Sequence, residues 1–287
     1  MNRILVSTGT MVAPENGFDY VRALGEIKSL YSEGLCTGLE LMMLKFYYDK
    51  RDAVVSAVKD FGVPAVTIHC EKDIGTMLSD AAGLCAAGDC NAAEDMFLSA
   101  LDLFRYNCTY AEKLGIDRMV LHLWGGYNSD AHVEYNIEKF ETLKRVATEY
   151  GVKILVENIP SRVYNPRRNW QKLLPSMDGA GFVFDTRFGM LHRQIEGILL
   201  DTAITEKIEH VHISDFAGTY RQFRALRPIL HPGEGSVDFK KTALLLENAG
   251  YNGTITLESP VAYGESLDVD KLANTLYYLK ELFCPSK

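Results

Sequence analysis

No apolar run in the 287-residue chain approaches the roughly 20 residues needed to span a bilayer, so a soluble protein is expected. The opening apolar stretch 1–6 is interrupted at once by Ser7 and Thr8, too early for a secretory leader, and a cytoplasmic location is expected. Cysteine is sparse. The six thiols at 36, 70, 85, 90, 108 and 284 form no C-x-x-C pair or dense framework, and are expected to be reduced and mostly buried. A basic surplus is also missing: the net charge of −8 argues against nucleic acid as a partner. After the first apolar run stands Ser7-Thr8-Gly9-Thr10, not the glycine fingerprint of a dinucleotide site. With no low-complexity stretch and no linker rich in Pro, Gly or Ser, residues 1–287 read as one domain.

What is present is a repeating unit. Short apolar runs at 4–7, 38–42, 65–69, 118–122, 153–157, 181–185, 208–212 and 253–258 read as strands buried on both faces. Amphipathic segments follow, among them 19–33, 94–114, 134–150, 239–249 and 267–283. Gly115, Gly151 and Gly250 stand as helix stops, and Asp238 as an N-cap. Eight strand–helix alternations predict an α/β fold of one kind, a single (β/α)₈ TIM barrel.

The chemistry is concentrated where these runs end. His69 closes the third, His122 the fourth, Glu157 the fifth, Asp185 the sixth, His212 the seventh and Glu258 the eighth. In a barrel these side chains converge on one mouth. Carboxylates packed so closely need a cation, and oxygen with imidazole donors suits one divalent metal ion: Mn, Mg, Co or Zn. Each residue also has an ordinary reading. Glu157 and Glu258 could pair with Arg or Lys, and His69 and His122 could be hydrogen-bonded core histidines. His210 is read as facing the surrounding helices, away from His212.

The segments Leu155-Val156-Glu157-Asn158, Phe184-Asp185-Thr186, His212-Ile213-Ser214-Asp215, Pro232-Gly233-Glu234-Gly235 with Asp238-Phe239, and Leu257-Glu258 occur in order along the chain. Together they resemble the xylose isomerase-like TIM barrel superfamily of sugar and inositol-derivative isomerases, ketose 3-epimerases and family 2 AP endonucleases. The resemblance implies a metal held by Glu157, Asp185, His212 and Glu258. It also implies catalysis by Glu157 and Glu258, which would move a proton next to a carbonyl through a metal-stabilised enediolate.

The implied partners are small molecules of carbohydrate metabolism: a sugar, a sugar phosphate or an inositol-derived ketone. An inosose dehydratase-type reaction would begin with the same proton abstraction, and a homo-oligomer is in keeping with such barrels. Candidate substrate contacts are His69, His122, Trp124 (stacking on a sugar ring, or packing its loop), Arg187 (binding a carboxylate or phosphate, or a surface arginine) and Glu234 (lining the pocket, or in a salt bridge with an Arg or Lys at the mouth).

Two departures from the epimerase pattern stand out. Phe188 occupies the place of a histidine three residues after Asp185, with His192 four residues further on, and Val163 replaces a substrate-binding carboxylate. The alternatives are a zinc-dependent AP endonuclease-like enzyme, or a catalytically silent metal-binding barrel. His69 and His122 match two ligands of the endonuclease's three-zinc site, but the stretch Arg227-Pro228-Ile229-Leu230-His231-Pro232 lacks the Asp-x-His pair that site requires.

Overall fold

The apolar runs become eight parallel strands: β1 (Arg3–Ser7), β2 (Gly38–Met42), β3 (Ala65–His69), β4 (Arg118–Leu121), β5 (Lys153–Glu157), β6 (Gly181–Asp185), β7 (Ile208–Ile213) and β8 (Thr254–Leu257). In this computed structural model, which describes residues 2–284, they pair in sequence order and β8 closes onto β1. Met1, at the head of the opening run, and 285–287 lie outside the described residues. His122 and Glu258 stand one residue beyond β4 and β8, at the first positions of the loops that rim the barrel mouth.

Helices α1 (Tyr20–Ser32), α2 (Arg51–Phe61), α3 (Asp73–Ala86), α4 (Cys90–Leu114), α5 (Val133–Glu149) and α6 (Pro166–Leu173) link successive strands up to β6. Three short helices, α7 (Thr186–Leu191), α8 (Ile195–Leu199) and α9 (Thr202–Thr205), join β6 to β7. They are followed by α10 (Phe239–Asn248), a small ribbon of β9 (Ala262–Tyr263) and β10 (Ser266–Leu267), and α11 (Val269–Phe283). Asp238 caps α10 as expected, through the Lys241 amide. The expected helix 94–114 begins earlier, at Cys90, because Asp89 caps it through the Ala92 amide. Among the described residues no helix is long and apolar enough to cross a membrane. The cysteines are free; three of the six are buried.

Strand alternation sorts the barrel into two environments. Outward residues such as Ile4, Leu39, Ile154, Phe182, Val211 and Ile255 join one apolar core with the helices. Burying such side chains contributes about 1.5–3 kcal/mol each. The inward set is different. Val120, Leu155 and Val183 form a separate small apolar cluster. Glu40, Thr67, His210, Thr254 and Thr256 are also fully buried and bond to one another across the strands.

The expectation that His210 faces the helices is overturned. Residues two apart on a strand share a face, so His210 points into the barrel with His212, their ring centroids 4.9 Å apart.

The His-x-Ser-Asp segment acts as a clamp. The buried Asp215 carboxylate accepts four amides, from Phe216 (2.7 Å), Gly233 (3.0 Å), Gly235 (2.9 Å) and Val237 (3.0 Å). A Cβ at position 235 would lie 2.5 Å from Asp215 Oδ1, so glycine is required for the loop to approach this closely. Hydrogen bonds to a charged acceptor contribute about 1.5–3 kcal/mol each, but not additively. Asp215→Ala is expected to cost about 3 kcal/mol of unfolding free energy in a urea titration. A loss under about 0.5 kcal/mol would show that the clamp does not hold the loop.

Candidate metal centre

Four ligand atoms, one each from Glu157, Asp185, His212 and Glu258, lie within 4.8 Å of one another at the strand ends. His212 is central. Its Nδ1 is 2.8 Å from Glu157 Oε1 and 3.6 Å from Glu258 Oε1, while its Nε2 is 3.3 Å from Glu40 Oε2. The Asn158 amide brackets the backbone of Asp185, accepting from its N–H at 2.5 Å and donating to its carbonyl at 3.0 Å. Asp185 Oδ1 caps α7 through the Phe188 amide, which leaves Oδ2 free to face the cluster.

Glu40 was not anticipated from the sequence. It is fully buried in β2, receives a hydrogen bond from Thr67 (2.8 Å) and lies against both His210 and His212. A carboxylate on the far nitrogen of a ligating imidazole fixes the ring's orientation and tautomer. The available signal was the lone acid in the run Gly38-Leu39-Glu40-Leu41-Met42, which only an inward, partnered position accommodates.

The electrostatics follow from burial and crowding. Burial alone would raise the Glu157 carboxyl, but the neighbouring His212 and His122 outweigh it and hold it well below the usual range. Glu40 is held down in the same way by His212 and His210. Burial works against a charged His212, yet Glu258, Glu40 and Glu157 raise it well above an ordinary histidine. Asp185 goes the other way. Burial is the largest influence and Glu157 and Glu258 add to it, so the carboxyl rises to about 7 against the pull of Arg187.

A divalent ion fits this arrangement. Glu157 Oε2, Asp185 Oδ2 and Glu258 Oε1 are buried acceptors without a hydrogen-bond partner, as is Glu40 Oε1 further in. Three such atoms converging beside an imidazole are costly unless a cation satisfies them. The ordinary reading of Glu157 and Glu258 does not hold, because among the described residues their charged partners are histidines, not Arg or Lys.

The candidate substrate residues divide. His69 and His122 both face Glu157, with Nε2 atoms 3.6 Å and 2.5 Å from Oε2. The shorter contact lacks hydrogen-bond alignment, and burial lowers His122 to about 4. Its position depends on Gly75 at the start of α3, where a Cβ would lie 2.5 Å from the His122 carbonyl. Arg187 shares with Glu258 the lining of a cavity of about 310 Å³ at the mouth.

Trp124 and Glu234 take the packing and salt-bridge readings of their positions. Trp124 is fully enclosed in the apolar core and has no ring face to offer a sugar. Glu234 turns outward on its loop, where it pairs with Lys271 at 2.7 Å and accepts from the His231 amide.

The departures also find their places. Phe188 packs beneath the Arg187 guanidinium, 4.5 Å from Cζ to ring centroid. His192 accepts from the Ser161 amide, away from the cluster. Val163 is half exposed on a loop whose amides at 162, 163 and 164 are gripped by the Asp130 carboxylate. His231 ties its own loop to Thr275 and to the Pro260 carbonyl. A cavity of about 520 Å³ beside Met190, Lys241 and Leu245 includes none of the cluster residues.

The family model described as xylose isomerase-like TIM barrel matches residues 13–280. An uncharacterized protein of Methanocaldococcus jannaschii, MJ1614, is 25% identical over 181 residues, covering 62% of this chain and 68% of its own. A xylose isomerase-like TIM barrel/4-hydroxyphenylpyruvate dioxygenase fusion protein superposes with a TM-score of 0.74 at 16% identity; 98% of this chain is covered, but it spans only 43% of the fusion. D-allulose 3-epimerase from Methylomonas sp., in complex with D-allulose, gives 0.70 at 14% identity, with 98% and 97% of the two chains covered. The IOLI protein with a bound zinc atom gives 0.71 at 14%, with 98% of each covered. At such identities these superpositions establish the shared fold.

A metal held at this cluster must displace protons. The Asp185 carboxyl, raised to about 7, holds one below that pH, and His212, raised by its carboxylate neighbours, resists losing another. Affinity for Mn²⁺ or Zn²⁺, measured by competition with a chelating dye, is expected to rise at least about tenfold per pH unit up to pH 7 and less steeply above. A flat profile would remove both residues from the ligand set.

Proposed function

We propose, for a chain that belongs to the xylose isomerase-like TIM barrel family, an enzyme that binds one divalent ion and moves a proton next to the carbonyl of a sugar or polyol ketone. The observation that carries this reading is the convergence of unsatisfied, buried oxygens of Glu157, Asp185 and Glu258 beside His212 Nδ1. The epimerase and the zinc-bound IOLI protein share the fold over nearly their whole lengths and lend it support.

Glu157, Asp185, His212 and Glu258 would hold the ion, which when bound would polarise a substrate carbonyl. The remaining work falls to the chain. Glu40 orients His212, and Asn158 orients Asp185. Glu258 is the cluster carboxylate that lines the mouth cavity, and it is assigned to take the proton from carbon. Glu157 lies deeper, between His122 and His212, and is assigned to return a proton. His122, kept neutral by burial, is suited to donate or accept a hydrogen bond at a substrate hydroxyl.

A second reading rests on one further observation. His69, His122 and Glu157 form a ligand trio of their own, which would place a second ion beside the first with Glu157 shared. That favours an endonuclease-like zinc centre, against which stand Phe188 and the missing Asp-x-His pair at 227–232.

Metal content measured without added metals or chelators separates these readings. One ion per chain, lost in His212→Ala, supports the isomerase or epimerase. Three zinc ions with nicking of abasic DNA support the nuclease. One ion without turnover of any ketose or inosose leaves a binding protein.

On an active ketose, Glu258→Gln is expected to slow solvent-deuterium incorporation at carbon by about 10²–10⁴-fold, read by NMR, with circular dichroism unchanged. Glu157→Gln is expected to abolish turnover. An active variant would take the corresponding residue out of the mechanism.

A further inference from the structure

The chain is negative, but the linings of two cavities at its barrel mouth carry more cations than acids. Lys72, Arg162, Arg187 and Arg227 line two adjoining cavities of about 310 and 340 Å³, with Lys72 shared by both. Among the described residues none of these four forms an ion pair. The only acids on the two walls are Glu71, which accepts from Tyr48 and is raised by burial, and Glu258 of the metal cluster. In a protein of net charge −8, four cations without carboxylate partners at one opening form a local field that draws anions inward.

Arg187 is the most informative of the four. It is 5% exposed, and its Nη1 donates to the Leu226 carbonyl at 3.1 Å. Its Nε is buried with no partner, and Phe188 supports the plane of the guanidinium. Leaving guanidinium donors buried and unmatched is unfavourable. Asp185, two residues earlier, draws on its charge, but with a cation in the cluster that carboxylate is already engaged. Arg227, exposed, lines the same cavity as Arg187 and Glu258; partial burial and the Arg187 charge lower it, against the pull of Glu258.

We propose that the substrate carries an anionic group, a phosphate or a carboxylate, seated between Arg187 and Arg227 beside Glu258. Both groups present oxygens that match the guanidinium fork. The inference draws on the metal-site reading only for its position next to the reacting carbon. The replacements at Phe188 and Val163 accord with it: a side chain that supports an arginine stands in place of the pattern's histidine, and its substrate-binding carboxylate is gone.

The test is calorimetric titration of inorganic phosphate and, separately, acetate into the full chain at low ionic strength, with metal content measured on the same samples. Binding of one of the two anions is expected, weakened at least about tenfold in Arg227→Ala and largely kept in Arg227→Lys. Arg227 is exposed, so neither change should disturb folding, which circular dichroism confirms. Tighter phosphate binding identifies a phosphorylated substrate, and tighter acetate binding a carboxylate. Failure of both to bind, or equal binding by wild type and Arg227→Ala, overturns the proposal. A chain without metal that still binds phosphate through Arg227 would sink the metal reading alone. A metal-loaded chain whose phosphate binding ignores Arg227 would sink this one alone.

Discussion

One buried imidazole organises the site. His212 stands between Glu157 on one nitrogen and Glu40 on the other, with Glu258 close by, all inside a closed sheet that water does not enter from the sides. The neighbouring carboxylates outweigh burial and favour its charged form, and its charge in turn keeps Glu40 and Glu157 ionised. Neither side of this balance would persist alone in so dry a place. The apolar shell between sheet and helices makes the crowding tolerable, because it fixes the strands that present these groups and so fixes their separations.

Much of this was legible in the sequence. Strands buried on both faces have to be short apolar runs, and a residue that ends such a run has to lie at the mouth. That placed His69, His122, Glu157, Asp185, His212 and Glu258 together. Residues inside the runs were harder to read. Glu40 sits among leucines with no partner nearby in sequence; its partners His210, His212 and Thr67 come from other strands. His210 was misplaced although the period of the strand already assigned it to the face of His212. Trp124 and Glu234 lie on loops, where sequence gives proximity to the mouth but not direction, and one turned into the core while the other turned out to a lysine.

The barrel fold hosts many chemistries, and the site rather than the fold carries the functional reading. In the proposed reading, the cluster at the strand ends concerns how a proton is moved, and the loops concern what is held while it moves. The departures from the epimerase pattern fall in the second group. Phe188 lies under Arg187, and Val163 belongs to a segment tethered by Asp130.

The two aspartate clamps have a consequence for how such a protein changes over generations. Asp130 and Asp215 grip their loops mainly by the main chain, through amides that almost any residue supplies. Apart from a few small positions such as Gly235, the side chains along those loops are released from the duty of maintaining loop shape. They can drift, acquire charge or lose it, and alter what the mouth admits while the rim keeps its outline. Inheritance then conserves the fastening and leaves selectivity open to selection.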